Sequence, residues 1–383
     1  MPWREVTPVS ERLSLCKLAE EGKYSISELA KDFGISRKTA YKWLNRYSTD
    51  GVEGIFDKSR RPKSSPGGVS DDVVDAVLRL KEEFEDWGPR KLHKLLTERN
   101  PGMSCSRSSV ERILIRHGLT EKREPGSIPE AVGRFERGEP NDLWQIDFTA
   151  PFVIAGGAKV WPIPILDDNA RFCVALHAAP VCSAGYALAC LRAAAVCYGM
   201  PLEVLSDHGS AFGTSPSYVS EFSAFLWACG IRHTQGRYAH PQTQGKLERF
   251  NRTLRRECMR RHDYNSFDDW NKCFEEYRYI YNDIRPHQSL CDETPASRYR
   301  PSPRVFAEPD RLYREHGEDL INRKVGCDGK IWINQHHVPV GKGLAGWVVY
   351  AKHDGNGFWS IYFRGHNICQ VSLAKQGMYK PRP

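Results

Sequence analysis

The sequence predicts a multidomain protein with an all-α amino-terminal part, an α/β middle and a small all-β carboxyl-terminal part. Apolar residues recur at three- and four-residue spacing as far as His117, strand-like and helical patterns interleave through the middle, and from about Asn322 only short alternating runs between turns remain. At 383 residues, with 40% hydrophobic and 11% aromatic content, the chain has the length for two to four domains with buried cores.

Residues 1–56 read as three helices. Leu13, Leu15, Leu18 and Ala19 share a helical stripe, Ser25-Ile26-Ser27-Glu28 has the form of a capping box for a second helix to Phe33, and Gly34-Ile35-Ser36 makes a tight turn. The third helix, Ser36 to Tyr47, is expected to bury Ala40, Trp43, Leu44 and Tyr47 and to expose Arg37, Lys38, Lys42 and Arg46. A basic helix after a Gly-containing turn is what a helix-turn-helix needs to lay its last helix in the major groove, although helical bundles of other purpose share the pattern.

Residues 57–68 have too few apolar side chains to pack and read as a basic linker, whose Arg60 and Arg61 either enter a minor groove or belong to a plain tether. A second helix-turn-helix unit is expected over 69–119. Val73, Val74, Val77, Leu78 and Leu80 lie in one helix, Leu92, Leu95 and Leu96 in the next, and the last runs from Ser106 to His117 with Val110, Ile113 and Leu114 inside and Arg107, Arg112 and Arg116 outside. Residues 120–138 lack apolar period and read as a hinge.

In the α/β middle, 139–300, three segments stand out. Trp144, Ile146 and Phe148 alternate with Gln145, Asp147 and Thr149, a strand expected to carry Asp147 on its more polar face. Asp207 closes the apolar run Leu202-Glu203-Val204-Leu205, so it falls at the carboxyl end of a strand, where open α/β sheets place their ligands. Around a helix through Glu248, residues Leu247, Phe250, Leu254 and Cys258 form an apolar stripe, while Asn251, Arg252, Arg255 and Arg256 cluster near Glu248 and Glu257 falls opposite it. Three gathered carboxylates repel one another unless a cation sits among them, and hard Mg²⁺ suits them. Two such ions activate a water or sugar hydroxyl for phosphoryl displacement, and neighbouring arginines, Arg252 and Arg255 among them, suit a phosphate backbone. Asp167 and Asp168 are rival ligands on chemistry alone but lie in a turn, where aspartate serves backbone hydrogen bonding. His208 and His240, next to the acids, are expected to support the site or touch DNA.

The segments Trp-Gln-Ile-Asp-Phe-Thr at 144–149, Ser-Asp-His-Gly-Ser at 206–210 and His-Pro-Gln-Thr-Gln-Gly-Lys-Leu-Glu-Arg-Phe-Asn at 240–251 closely resemble the catalytic core of integrase-like DDE transposases, most like those of bacterial insertion sequences. Tyr-Asn-Asp-Ile-Arg-Pro-His-Gln-Ser-Leu at 281–290 resembles the stretch that follows that core. The resemblance is strong from about Asn141 to Tyr299 and weaker on the flanks. It implies a ribonuclease H-like catalytic core, with Asp147, Asp207 and Glu248 as catalytic residues and metal ligands. Two Mg²⁺ ions, or Mn²⁺ in their place, are implied, Asp147 bridging both. The implied partners are double-stranded DNA, as transposon ends and as target, and further copies of the chain, at least a dimer on DNA. A gap of 40 residues between Asp207 and Glu248, 248 − 207 − 1, is a few more than usual, and the loop 213–217 is where the excess is expected. A domesticated regulator with an inert core and a plain nuclease are the rival functions.

From Asn322, runs at 330–333, 346–350 and 358–363 separated by turns at Asp328-Gly329 and 354–357 fit a small β-barrel over 322–383, similar to the carboxyl-terminal DNA-binding domain of integrases. Deleting residues after about Asn322 is expected to spare folding but to impair paired-end joining more than single-end binding. The twelve cysteines are scattered singly with no zinc spacing, so reduced thiols are expected. No apolar run approaches membrane-spanning length and the first residues lack a signal core, so a bacterial cytoplasmic, nucleoid-associated protein with no membrane partner is expected. The net charge of +8 favours polyanionic partners.

Overall fold

The computed structural model describes residues 7–59, 68–121, 136–154, 156–213, 219–236, 245–317, 319–355, 357–372 and 379–381. The chain divides into two compact units, one up to Gly68 and one from Val69 onward.

The first unit is the expected trio of helices: α1 (Pro8–Glu20), α2 (Ile26–Asp32) and α3 (Arg37–Asp50). The Ser25/Glu28 capping box forms as its sequence foretold, the Ser25 hydroxyl accepting the Glu28 N–H while Ser25 N–H donates to the Glu28 carboxylate. Leu15, Cys16, Leu29, Ala30, Ala40 and Trp43 make the core, whereas Leu44 and Tyr47 stay half-buried. Ile55 completes the core from a 3₁₀ turn at Gly51–Ile55. Gly54 is required there, because a Cβ would lie 2.2 Å from the Arg46 carbonyl oxygen.

The second unit opens with α4 (Asp71–Glu83), α5 (Pro89–Arg99) and α6 (Arg107–Arg116). Val73, Val77, Leu80, Leu92, Leu95, Leu96, Val110, Ile113 and Leu114 interlock, and Phe84 stacks on Trp87 with centroids 4.0 Å apart. Ile280 and Ile284, from the far end of the α/β domain, pack against this module.

The α/β domain runs β1 (Leu143–Ile146), β2 (Phe152–Val153), β3 (Lys159–Asp167), β4 (Cys173–Ala179), α7 (Ala184–Tyr198), β5 (Glu203–Ser206), α8 (Glu221–Ala228), β6 (Arg232–Gln235), α9 (Gly245–Leu254) and α10 (Phe267–Tyr279). The sheet order is β4-β3-β1-β5-β6, antiparallel across β4, β3 and β1 and parallel across β1, β5 and β6, with short β2 also on β3. This is the ribonuclease H-like order. Period-two alternation along β3 feeds two cores: Ile163 and Ile165 face α7 and α8, while Val160 and Leu166 face α9 and α10. Both α9 and α10 run on into π-helical turns, at Arg255–Met259 and Ile280–Ile284.

The structure corrects the expectation of a strand with a polar face. All four residues of β1 are buried, because the strand is central and covered on both sides, and Asp147 lies just beyond its end. Gln145 is half-satisfied in the interior, its Nε2 donating to Asp168 Oδ1 at 2.8 Å while its Oε1 has no partner among the described residues. Asp167 and Asp168 are fully buried. Asp167 accepts the Asn141 and Ala170 N–H groups at 2.7 Å, while Asp168 accepts the Arg137 N–H and pairs with Lys246 at 2.6 Å. Burial nevertheless holds the Asp167 carboxyl up at about 6.

The carboxyl-terminal region is all-β, with β7 (Leu320–Lys324), β8 (Lys330–Ile333), β9 (His336–Pro339), β10 (Val348–His353), β11 (Phe358–Phe363), β12 (His366–Ser372) and β13 (Tyr379–Pro381). Its antiparallel sheet, β13-β12-β11-β10-β7, is open among the described residues, and β8-β9 is a separate hairpin, so closure into a barrel is not seen. Ala224, Val219 and Trp227 of the α/β domain join its core, and Trp227 stacks on His366 at 4.2 Å. Deletion from Asn322 therefore would strip the cover from α8, contrary to the expectation that it spares folding.

No helix among the described residues is long and apolar enough to cross a membrane. All twelve cysteines are free thiols.

Candidate active site

Parallel pairing of β1 with β5 places Gln145 beside Leu205, so Asp147 and Asp207 leave neighbouring strands at the same level. Each carboxylate is fixed by local backbone. Phe148 N–H donates to Asp147 Oδ1 at 2.7 Å and Gly209 N–H to Asp207 Oδ1 at 2.8 Å. A Cβ at position 209 would stand 2.9 Å from that oxygen, so any larger residue there would push the Asp207 carboxylate aside.

The two acids feel one another. Burial first, and then the Asp207 charge, push the Asp147 carboxyl up to about 7 against the opposing pull of the Phe148 N–H. Such a crowded pair of acids fits a hard divalent cation, whose charge would reverse the crowding.

Glu248 lies on α9, largely exposed and paired with Arg252 at 3.0 Å. With side chains 67% and 77% exposed, that pair is worth little. Among the described residues no group of three acidic, histidine or cysteine side chains is close enough to hold a metal ion, so the structure gathers Asp147 and Asp207 and does not gather Glu248 with them. His240 and the residues leading into α9 lie outside the described residues, as does most of the loop 213–217.

Several supports escaped the sequence. Lys246 anchors the first turn of α9 on buried Asp168, and Thr149 Oγ1 donates to Asn251 Oδ1 at 2.8 Å, joining the stretch after Asp147 to the helix face three residues on from Glu248. His233 bridges Ser206 Oγ at 2.9 Å and Ser223 Oγ at 2.8 Å, pinning β5, β6 and α8 together beneath Asp207. Burial, and then His208, hold this imidazole down at about 4, so it is neutral at physiological pH. No local pattern around a single histidine in a short strand could have announced this role.

Of the expected DNA-contacting residues, Arg37, Lys38 and Lys42 are exposed on α3. Arg46 is half-buried, and Arg12, Lys42 and Arg46 all lie over the Trp43 ring, at 3.9, 4.6 and 5.1 Å from its centroid. Arg107 and Arg112 are exposed on α6, where Arg112 folds back onto the Ser108 carbonyl at 3.2 Å. Arg255 is exposed beside Arg252, and Arg60 and Arg61 lie outside the described residues.

The sequence matches the integrase core domain family over 137–241 and 229–295, a helix-turn-helix domain family over 11–63 and a homeodomain-like domain family over 39–114. It is 28% identical to the insertion element IS476 uncharacterized 39.2 kDa protein of Xanthomonas euvesicatoria, over 65% of this chain and 70% of that one. It is 25% identical to the insertion element IS407 uncharacterized 31.7 kDa protein of Burkholderia multivorans, over 66% of this chain and 89% of that one. The transposase for transposon Tn552 of Staphylococcus aureus is 22% identical over 61% of this chain and 52% of its own length. Among solved structures, the HTLV-2 integrase catalytic core domain in complex with magnesium matches 42% of this chain and 99% of its own at 19% identity and a TM-score of 0.34.

The chain is thus a DNA-binding polynucleotidyl transferase with an integrase core behind helix-turn-helix domains. Within that class it is an insertion-element transposase.

Proposed function

We propose that the helix-turn-helix modules bind the terminal inverted repeats of an insertion element and that the core cuts a phosphodiester at each end and joins the freed 3′-hydroxyl to target DNA. The observation that carries this is the Asp147–Asp207 pair at adjacent strand ends, with Asp147 held up at about 7 by burial and by its neighbour. Asp147, Asp207 and, on α9, Glu248 would hold two Mg²⁺ ions, with Mn²⁺ as substitute. Bound there, the ions supply Lewis acidity for the attacking and leaving oxygens. The chain's own residues hold the two carboxylates still through the Phe148 and Gly209 N–H groups, and offer Arg252 and Arg255 to the phosphate backbone. In cleavage, water attacks phosphorus, the P–O3′ bond breaks and the departing oxygen takes a proton. In joining, the 3′-hydroxyl attacks a target phosphorus and gives up its proton, the target's own P–O3′ bond breaks and the departing 3′ oxygen is protonated. Two ends require two such sites, so at least a dimer assembles on DNA.

Incubating the full chain with the element's flanking ends and Mg²⁺, mapping new 3′ ends and weighing the complex test all of this. Binding without any cut would instead favour the inert regulator. Lys42→Ala is expected to weaken end binding by about tenfold, the scale of one lost phosphate or base contact, with less effect on random sequence if Lys42 reads a base. Titration of labelled ends against the full-length variant checks this, and unchanged affinity would remove Lys42 from the interface.

A further inference from the structure

We infer that the second helical module, α4 to α6, is seated on the back of the Glu248 helix and acts as a ruler that fixes which phosphodiester is cut. The inference rests on the transposase function proposed above.

Glu257 is nine residues beyond Glu248 on the same continuous helix, about half a turn around it. Its side chain is only 5% exposed. From the core, Arg285 Nε donates to it at 2.9 Å and Arg285 Nη2 at 3.1 Å. From the module, Lys91 Nζ donates at 3.2 Å and Trp87 Nε1 at 3.3 Å. Around this centre Arg90 pairs with Asp292 at 2.7 Å, Lys94 with Glu293 at 2.9 Å and Arg261 with Asp86 at 2.7 Å. Ile280 and Ile284 add apolar contact.

A buried carboxylate shared between two elements, with apolar packing beside it, has one geometry, because each departing partner would leave a charge unpaired. A flexible tether has many. The module's exposed α6 cations, Arg107 and Arg112, consequently stand at a set displacement from the helix that carries Glu248. DNA held by α6 can present only one stretch of backbone to the acids.

The test alters the module side alone, leaving Glu257 with its bidentate Arg285 inside the core. Lys91 is already held down at about 8, by burial and then by Arg285, so replacing it with methionine removes a charge the site only half tolerates. The triple variant Arg90→Ala, Lys91→Met, Lys94→Ala is compared with the parent for the positions of the 3′ ends it generates in Mg²⁺. The expected result is a spread of ends over neighbouring phosphodiesters, with the parental position losing its share several-fold while end binding persists. Asp292→Arg, which repels Arg90 from the core side, should give the same spread and serves if the triple variant does not fold. Slower cleavage at the unchanged single position, in either variant, would mean a merely structural contact and overturns the ruler. A parent that makes no cut overturns the proposed function and the ruler with it.

Discussion

Asp147→Asn or Asp207→Asn should each lower strand cleavage by on the order of a thousandfold or more, the scale seen when a single charge-stabilising group is lost from a reacting centre. DNA affinity should hardly change. The amide keeps the shape of the carboxylate and can still accept from the Phe148 or Gly209 N–H, but it lacks the negative charge that holds a cation. Stability separates this role from a structural one. Asp147 has its carboxyl raised from 3.8 to about 7 in the fold, so ionising it disfavours folding, a penalty that builds as pH rises above about 4 and is complete above about 7. Asp147→Asn should therefore melt no lower than the parent in metal-free buffer at pH 8 while losing activity. Glu248→Gln, on an exposed side chain, should leave the melting temperature unchanged and lose cleavage to the same extent. Any of the three that still cuts at the parental rate leaves the catalytic set.

Glu257→Gln should behave in the opposite way, as a large loss of stability. Burial would raise this carboxyl, but Arg285 and then Lys91 override it and hold it at about 2. The apparent conflict with Lys91, itself held down, is resolved by the geometry: Arg285, with two donors on the carboxylate, is the principal partner, and Lys91 is crowded by it. Because the folded value lies below the usual 4.5, the stabilisation is complete above about pH 4.5 and is lost as pH falls towards 2. A displacement of that size corresponds to about 3 kcal/mol. The substitution leaves buried Arg285 uncompensated, a cost of about 3–5 kcal/mol, or roughly 10 °C in melting temperature for a domain of this size. Thermal unfolding of the full chain at pH 7 checks this. A change within about 2 °C, less than 1 kcal/mol, would show the cluster to be energetically idle.

The two kinds of acid illustrate what the sequence could reveal. The helix stripe of Leu247, Phe250 and Leu254 correctly set Glu257 away from Glu248, because 3.6-residue periodicity is a local property. What stood on that far side was hidden, since Trp87, Lys91 and Arg285 come from distant positions. Capping at Ser25 and the apolar spacing of α4 to α6 were legible for the same local reason. Alternation in β1 misled because a central strand is buried on both sides, and Gln145 finds its partner 23 residues away. Asp207 was placed at its strand end by the run before it; of the two aspartates read as a turn, Asp167 ends β3 and accepts the Ala170 N–H across the turn that follows, while Asp168 is held by Lys246 and Gln145 from distant positions. Sheet closure in the tail depends on which edges meet, which no run of alternating residues encodes.

The wide turn at Arg255–Met259 has a geometric outcome of its own. A π-helical turn contains one residue more than an α-turn, so the chain there is wound loosely by a single unit. Dropping one residue, Met259 for instance, would tighten it to ordinary pitch and leave the segments on either side nearly in register, because the loose turn has already taken up the extra unit. Glu248 and Glu257 would keep their bearings. The loose turn is thus a stretch where the count of residues can change without turning the acid on one side of this helix away from the module fitted on the other.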